Sequence, residues 1–354
     1  MLREILLKRI QSHIPIVSEP FKVLAEEIGV SEKTLLEEIH RLKEEGFIRQ
    51  ISPIYNASAI GYDSALVAFK VNPKRLEEVA LKVNLHPGVS HNYERTHTFN
   101  LWFTLAVPPD SPLSLEETVH LMADSCNVKE FVILKTVRAF KLKVKLDYSR
   151  VEERENNSFL SVSVKRFLSE EEKEIVKKTQ KDIPLRAKPF ALLAKEIGIS
   201  ENLLLEKLND FYKEGVIRRF SAILHHRKIG FKANGMAVWK VPPERVEEIG
   251  KFFASFKSVS HCYERTTSPL WQYNLFTMIH GRTKEEVISF VERVGEELNI
   301  KDYAVLFSTR EFKKKRIELF SEEFYERKGK QVGVYTHKGE NFPRSFKAVF
   351  PKGV

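Results

Sequence analysis

The chain has 354 residues, 42% hydrophobic and 30% charged, enough for about two to four domains with cores of their own. Its formal net charge of +10 calls for an anionic partner, whether nucleic acid, an anionic membrane surface or an anionic small molecule. No run of about 18 apolar residues suggests a membrane span, the start carries Glu4 and no small-residue cleavage site and so does not read as a signal peptide, and the cysteines Cys126 and Cys262 form neither a disulfide framework nor a thiolate cluster, which fits a reducing cytoplasm.

In chain order, Leu24, Ala25 and Ile28 have helical spacing, and Gly29 stops that helix. Ser31 caps the next helix, which runs through Leu35, Ile39 and Leu42 and stops near Gly46. This is a helix-turn-helix pattern, and 48–52 reads as a wing strand. A strand over 65–71, a helix over 73–83, strands over 89–96 and 101–107, a helix over 115–123 and a strand over 131–141 follow, the βαββαβ order of a ferredoxin-like unit. The stretch near 150–163, with Glu152, Glu153, Glu155, Asn156 and Asn157, reads as a surface linker.

The series then begins again. Phe190-Ala191-Leu192-Leu193-Ala194-Lys195-Glu196-Ile197-Gly198 matches Phe21-Lys22-Val23-Leu24-Ala25-Glu26-Glu27-Ile28-Gly29, and Glu214-Gly215-Val216-Ile217-Arg218 matches Glu45-Gly46-Phe47-Ile48-Arg49. A second βαββαβ unit is expected over 236–313. The residues from 321 onward belong to neither copy and read as loop, with 332–335 as a short strand. The expected organisation is therefore α+β. Helix-turn-helix domains occupy 1–62 and 164–231, and ferredoxin-like domains 63–148 and 232–320. A linker at 149–163 joins two tandem copies arranged as an intramolecular pseudo-dimer, and an extension covers 321–354.

One repeated segment carries chemistry. Val89-Ser90-His91-Asn92-Tyr93-Glu94-Arg95-Thr96 recurs as Val259-Ser260-His261-Cys262-Tyr263-Glu264-Arg265-Thr266. In an extended strand His, Tyr and Arg at alternate positions leave from one face, which gathers a proton donor, a metal ligand and a carboxylate clamp. The copies part after the threonines. His97 stands against Thr267, four extra residues precede Tyr273-Asn274-Leu275, and His280 has no equivalent in the first copy. Basic runs at 135–145, with Arg138, and 310–316, with Arg310, suit either an anion or a solvated strand edge. Trp102, Phe103, Trp271 and Tyr273 read as core or pocket wall rather than stacking partners. His225-His226 is discounted as a metal pair, because neighbours on a strand point apart.

Helix-turn-helix followed by βαββαβ resembles the Lrp/AsnC regulators. Two features depart from a DNA-binding member. The recognition helices carry Glu32, Glu37 and Glu38, and Glu201, Glu206 and Asp210, where phosphate and base edges call for bases and amides. A generic sensor also has no need of the duplicated His-Tyr-Arg strand. Both features suit a narrower relative. Through His91-Asn92-Tyr93-Glu94-Arg95-Thr96-His97 and Asn100-Leu101-Trp102-Phe103-Thr104, and through Ser260-His261-Cys262-Tyr263-Glu264-Arg265, Trp271-Gln272-Tyr273-Asn274-Leu275-Phe276-Thr277 and His280-Gly281, the chain resembles the siroheme decarboxylases.

That resemblance implies loss of two acetate carboxyl groups from siroheme, giving 12,18-didecarboxysiroheme in heme-type tetrapyrrole biosynthesis. It implies a cytoplasmic enzyme with siroheme and its product as partners, no DNA or membrane, and no cofactor beyond the iron-containing substrate. The residues it nominates are His91, Tyr93, His261 and Tyr263 for catalysis. Arg95, His97, Trp102, Arg265, Trp271, Arg138 and Arg310 are nominated for substrate binding, and His261 and His280 as axial ligands to the substrate iron. A regulator sensing heme or a small metabolite, and a carrier that binds without reacting, remain the alternatives. Which half is productive, and whether the fused chain associates further, stay open.

Overall fold

The computed structural model describes residues 2–142, 165–224 and 233–324. The expected linker at 149–163, His225-His226 and the short strand at 332–335 lie outside them.

The first half opens with α1 (Leu2–Ile10), α2 (Pro20–Ile28) and α3 (Glu32–Glu44). Pro20 suits the first turn of α2, where its missing N–H costs no hydrogen bond. Gly29, at φ +80°, adopts the left-handed conformation that ends α2 and donates its N–H to the Ala25 carbonyl. Ser31 then accepts the Thr34 N–H at 3.1 Å and starts α3. Beyond these helices lie β1 (Ile48–Tyr55), β2 (Asp63–Phe69), α4 (Leu76–Asn84), β3 (Val89–Arg95), β4 (Leu101–Val107), α5 (Leu115–Ser125) and β5 (Phe131–Leu142). The second half repeats the order as α6 (Glu170–Thr179), α7 (Pro189–Ile197), α8 (Glu201–Lys213), β6 (Ile217–Leu224), β7 (Ala233–Trp239), α9 (Val246–Ala254), β8 (Val259–Arg265), β9 (Leu275–Gly281), α10 (Lys284–Glu297) and β10 (Tyr303–Lys314). The helices α1 and α6 were not anticipated. They contribute Leu6, Ile10, Ile175 and Val176 to a hydrophobic core that both helical units share.

Two sheets tie the halves together. The expected wings are longer than 48–52 and pair with each other, β1 antiparallel to β6, with Ser52 opposite its repeat counterpart Ser221. The other eight strands close into a barrel in the order β10-β3-β4-β2-β5-β8-β9-β7. The seams between halves are β5 with β8 and β10 with β3, the same two positions of the repeat used twice.

Alternation along each strand sorts the side chains into layers. On β2, Ala65, Val67 and Phe69 face the helices α4 and α5, while Leu66 and Ala68 join an interior cluster with Trp102, Leu134, Val238, Trp271, Phe276 and Leu306. The corresponding outer layer of the second half packs Trp239, Val259, Cys262 and Ile279 against α9 and α10.

Candidate functional site

The same alternation decides where the repeated motif points. On β3, Asn92 faces outward and donates to the Ala80 carbonyl of α4 at 3.2 Å. His91, Tyr93 and Arg95 therefore face into the barrel, Tyr93 opposite the interior Trp102 and His91 opposite Thr104. On β8, Cys262 lies in the outer layer with its thiol 3.6 Å from the Gly250 carbonyl, so His261, Tyr263 and Arg265 face inward opposite Met278, Phe276 and the end of β9.

Each histidine is oriented by the serine before it. Ser90 Oγ lies 2.9 Å from His91 Nδ1 and 2.6 Å from Thr104 Oγ1. Ser260 Oγ lies 2.8 Å from His261 Nδ1 and 2.8 Å from His280 Nε2. With Nδ1 engaged, Nε2 of His91 and of His261 is the nitrogen left to meet a ligand. The two serine contacts are not equivalent. A hydroxyl has one hydrogen, so Ser260 can donate to only one of its two imidazoles, and the other ring must present N–H to it.

His91 sits where the barrel meets the paired wings. A cavity of about 550 Å³, within the ~300–1,000 Å³ usual for small-molecule sites, is walled by Arg49 and Gln50 of β1, Arg218 and Ile223 of β6, Ser90 and His91 of β3, residues 180–182, and residues 315–319 beyond β10. Asp182 and Glu318 are in this wall but are already paired, with Lys43 and Lys181. The arginines are not. Among the described residues no carboxylate pairs with Arg49, Arg218, Arg219 or Arg316, and Arg218 spends one N–H on the Asn56 side-chain carbonyl at 2.8 Å. Arg218 and Arg316 are open to water yet hemmed in by protein, as guanidiniums in a cavity wall are. Burial, then repulsion by Arg219, Arg49 and Arg218, pushes Arg316 down to about 10.

Electrostatics joins the two halves here. Burial lowers His261 to about 4, reinforced by His280, His91, Arg265 and Arg218. Burial also lowers His91, with Lys314 adding to the effect and Glu311 opposing it. His91 of one half thus acts on His261 of the other, and both rings are neutral at pH 7. Burial raises Tyr263, opposed by Arg265 and Arg218. Tyr93 is raised to about 12 by burial and then by Glu311, to which it is hydrogen-bonded.

The remaining nominated residues are placed differently. Arg95, 6% exposed, donates to the Leu306 carbonyl at 3.1 Å and lies 5.6 Å over the Tyr93 ring. Arg265 donates to the Leu134 carbonyl at 3.1 Å and lies 4.9 Å over the Tyr263 ring. Nε of each is buried without a hydrogen-bond partner. Trp102 and Trp271 are 1% and 2% exposed and meet edge to face at 5.1 Å, deep in the barrel. His97 lies past the far end of β3, its ring 5.2 Å from Trp271. Arg138 and Arg310 face outward. Each is bound to two glutamates, Arg138 to Glu264 and Glu247, Arg310 to Glu94 and Glu77. The structure therefore gathers His91, His261, Tyr263, His280 and Arg218, and leaves His97, Trp102, Trp271, Arg138 and Arg310 elsewhere. The cavity arginines and the two serines escaped the sequence reading as site residues, although Arg49 and Arg218, like Ser90 and Ser260, stand in repeated phrases. No group of three or more His, Cys, Asp or Glu side chains suited to a metal ion occurs among the described residues.

Comparison with known proteins converges on one family. The AsnC-like ligand binding domain matches residues 59–141 and 228–313, and the siroheme decarboxylase NirDL-like HTH domain matches 4–49 and 172–218. A siroheme decarboxylase of Hydrogenobacter thermophilus is 53% identical over 323 residues, covering 90% of this chain and 95% of that protein. A siroheme decarboxylase beta subunit of Methanosarcina barkeri is 46% identical over 145 residues, 41% of this chain and 95% of the subunit. Among solved structures, the siroheme decarboxylase NirDL aligns with a TM-score of 0.78 at 49% identity over 92% of this chain and 96% of that one. The same enzyme in complex with an iron-uroporphyrin III analogue aligns equally well, at 48% identity. The match over nine tenths of the chain and the two halves each carrying both domains agree: the chain belongs to the siroheme decarboxylase family.

Proposed function

We propose that this chain removes two acetate carboxyl groups from siroheme to give 12,18-didecarboxysiroheme. Family membership supplies the reaction class. The observation that carries the reading onto this chain's own residues is the basic cavity lined by His91, with His261 of the other half within electrostatic reach of His91 and of the cavity's Arg218.

Each event breaks the bond between an acetate methylene and its carboxylate. Carbon dioxide leaves, the bonding electron pair passes into the conjugated macrocycle, and a proton converts the methylene into a methyl group. The iron tetrapyrrole is substrate, and its ring is the electron sink. The protein's work is to orient it and to deliver the proton. Tyr93 and Tyr263 hold phenolic protons at neutral pH. His91 and His261 are neutral in the free protein and offer Nε2, as proton carriers or, for His261 with His280 behind it, as ligand to the substrate iron. A bound polyanion favours protonated imidazole, so the substrate itself can charge the acid.

The same reading takes the chain as an intramolecular pseudo-dimer of helix-turn-helix plus ferredoxin-like units, divided near 62, 148, 163, 231 and 320. The strand orders β3-β4-β2-β5 and β8-β9-β7-β10, each the ferredoxin-like order, support it. DNA has no place in the proposal. The acidic α3 and α8 and the mutual pairing of the wings support its omission. No helix among the described residues is long and apolar enough to cross a membrane.

Anaerobic incubation of the purified chain with siroheme, followed by mass spectrometry, tests the reading. Loss of two carbon dioxide units is expected. An absorbance change on binding with no change of mass would sink it in favour of a carrier or sensor.

A further inference from the structure

We propose that Arg49 and Arg218, equivalent residues at the start of the two wing strands, act with Arg316 as the wall that holds the carboxylates of the siroheme substrate, so that the wings of the helix-turn-helix units are part of the tetrapyrrole site. The inference rests on the decarboxylase reading above and names the residues that make the site selective for a polyanion.

Three observations carry it. First, position: the three arginines line the cavity that contains His91, and Arg218 also acts on Tyr263 and His261. Second, valence: the cavity's acids are consumed by Lys43 and Lys181, whereas these arginines have no carboxylate partner among the described residues. Outside the cavity the pattern is reversed, with Arg138 and Arg310 each shared between two glutamates. Like charges held together without counter-charge are a standing cost that a bound anion relieves, and guanidinium is the group that grips a carboxylate with two parallel hydrogen bonds. Third, competition: Arg95 and Arg265 each spend Nη1 on a backbone carbonyl, of Leu306 and Leu134, and pack on tyrosine rings, and neither lines this cavity, so its carboxylate clamps are the three arginines of its wall.

Pairing of β1 with β6 explains how a wing can serve a site in the barrel. The ladder fixes Arg49 and Arg218 at opposite ends of one small sheet, Ile48 opposite Leu224 and Ile217 opposite Tyr55, spread about the Ser52–Ser221 centre. Carboxylates distributed around a macrocycle are met by arginines distributed in the same way.

The test compares the full chain with Arg49→Gln/Arg218→Gln and with Arg316→Gln. Binding of iron uroporphyrin III, and of heme as a porphyrin with fewer carboxylates, is followed by absorbance at two salt concentrations, and siroheme turnover by mass. Lys240→Gln, an exposed change of the same sign, controls for net charge. A charge-assisted contact is worth roughly tenfold or more in affinity. The double variant should therefore lose about a hundredfold for iron uroporphyrin III, much less for heme, and show a shallower salt dependence. Wild-type protein that neither binds iron uroporphyrin III nor changes the mass of siroheme refutes the decarboxylase reading. Active wild type with variants that bind both porphyrins as tightly as Lys240→Gln overturns this assignment alone. If the double variant does not fold, Arg316→Gln, which lies outside both wing strands, decides by the same comparison.

Discussion

His261 provides the sharpest test of how the site handles protons. Its imidazole is held near 4, against 6.5 for an ordinary histidine. That gap of about 2.5 units corresponds to ~3 kcal/mol at ~1.4 kcal/mol per unit. A carboxylate brought to about 4 Å in surroundings of effective dielectric ~20 returns roughly 4 kcal/mol. One well-placed substrate carboxylate is therefore enough to restore the ring to its ordinary range, and binding takes up close to one proton. The sign follows from mass action: the complex holds more protons than the free protein, so affinity falls as pH rises between the two values. Over about pH 5.5 to 7, where free carboxylates are already ionised, the dissociation constant for iron uroporphyrin III should weaken about tenfold. Absorbance titrations across that range, with proton uptake measured by calorimetry in two buffers of different ionisation enthalpy, provide the readout. His261→Asn should flatten the profile. A dissociation constant independent of pH in the wild type refutes the recharging argument. It would leave the neutral ring as the bound form, as an iron ligand is, because a ring already near 4 has no proton to lose above pH 5.5.

Further outcomes follow from the same geometry. Tyr263→Phe and Tyr93→Phe should retain iron uroporphyrin III binding while losing turnover, by about 10²–10⁴-fold where the phenol is the proton donor; separating singly from doubly decarboxylated product assigns each tyrosine, and two fully active variants would exclude both. Glu311→Gln removes the charge that helps hold Tyr93 at about 12, so one phenol should titrate earlier in an ultraviolet pH titration, and an unchanged curve would contradict the contact. Because the folded-state value of His261 is depressed, the stability it permits is whole above about pH 6.5 and is lost as pH falls through about 4; urea midpoints should fall with an excess of up to ~3 kcal/mol that His261→Asn removes, and equal acid sensitivity in both proteins would contradict its burial as a neutral ring.

Much of this was legible in the sequence, and the rest was hidden for definite reasons. Alternation placed His91, Tyr93 and Arg95 on one face, and the outward Asn92, bonded to α4, shows which face that is. Alternation alone could not say that the face closes a barrel, because closure depends on β5 meeting β8 and β10 meeting β3, each pair more than a hundred residues apart. The basic runs misdirected attention. Arg138 and Arg310 occupy the outward positions of strands whose inward positions hold Ala139 and Glu311, opposite Tyr263 and Tyr93. Arg49 and Arg218 were visible as repeated residues, but a wing strand carries no sign that its partner is another wing. Trp102 and Trp271 fill the barrel as core, as their size and the closeness of the two rings require.

The departures from the repeat have a common logic. In a symmetric dimer every contact at the interface occurs twice, so a change that helps one side is imposed on the other. Two copies in one chain escape that constraint, and the described residues show them diverging around His91 and His261. Ser90 leads to Thr104, a hydroxyl, while Ser260 leads to His280, a second imidazole. Each tyrosine has its own arginine beside it, Arg95 or Arg265, but Tyr93 faces Glu311, while Tyr263 faces Ala139 and has Arg218 as a second cation. One phenol therefore has a carboxylate beside it, and the other has one more cation to favour its anion. A substrate that must lose two acetates one after the other presents a different charge and shape at each step. As the proposed proton donors, Tyr93 and Tyr263 suit such a sequence through their different surroundings, which two copies free to vary independently can provide.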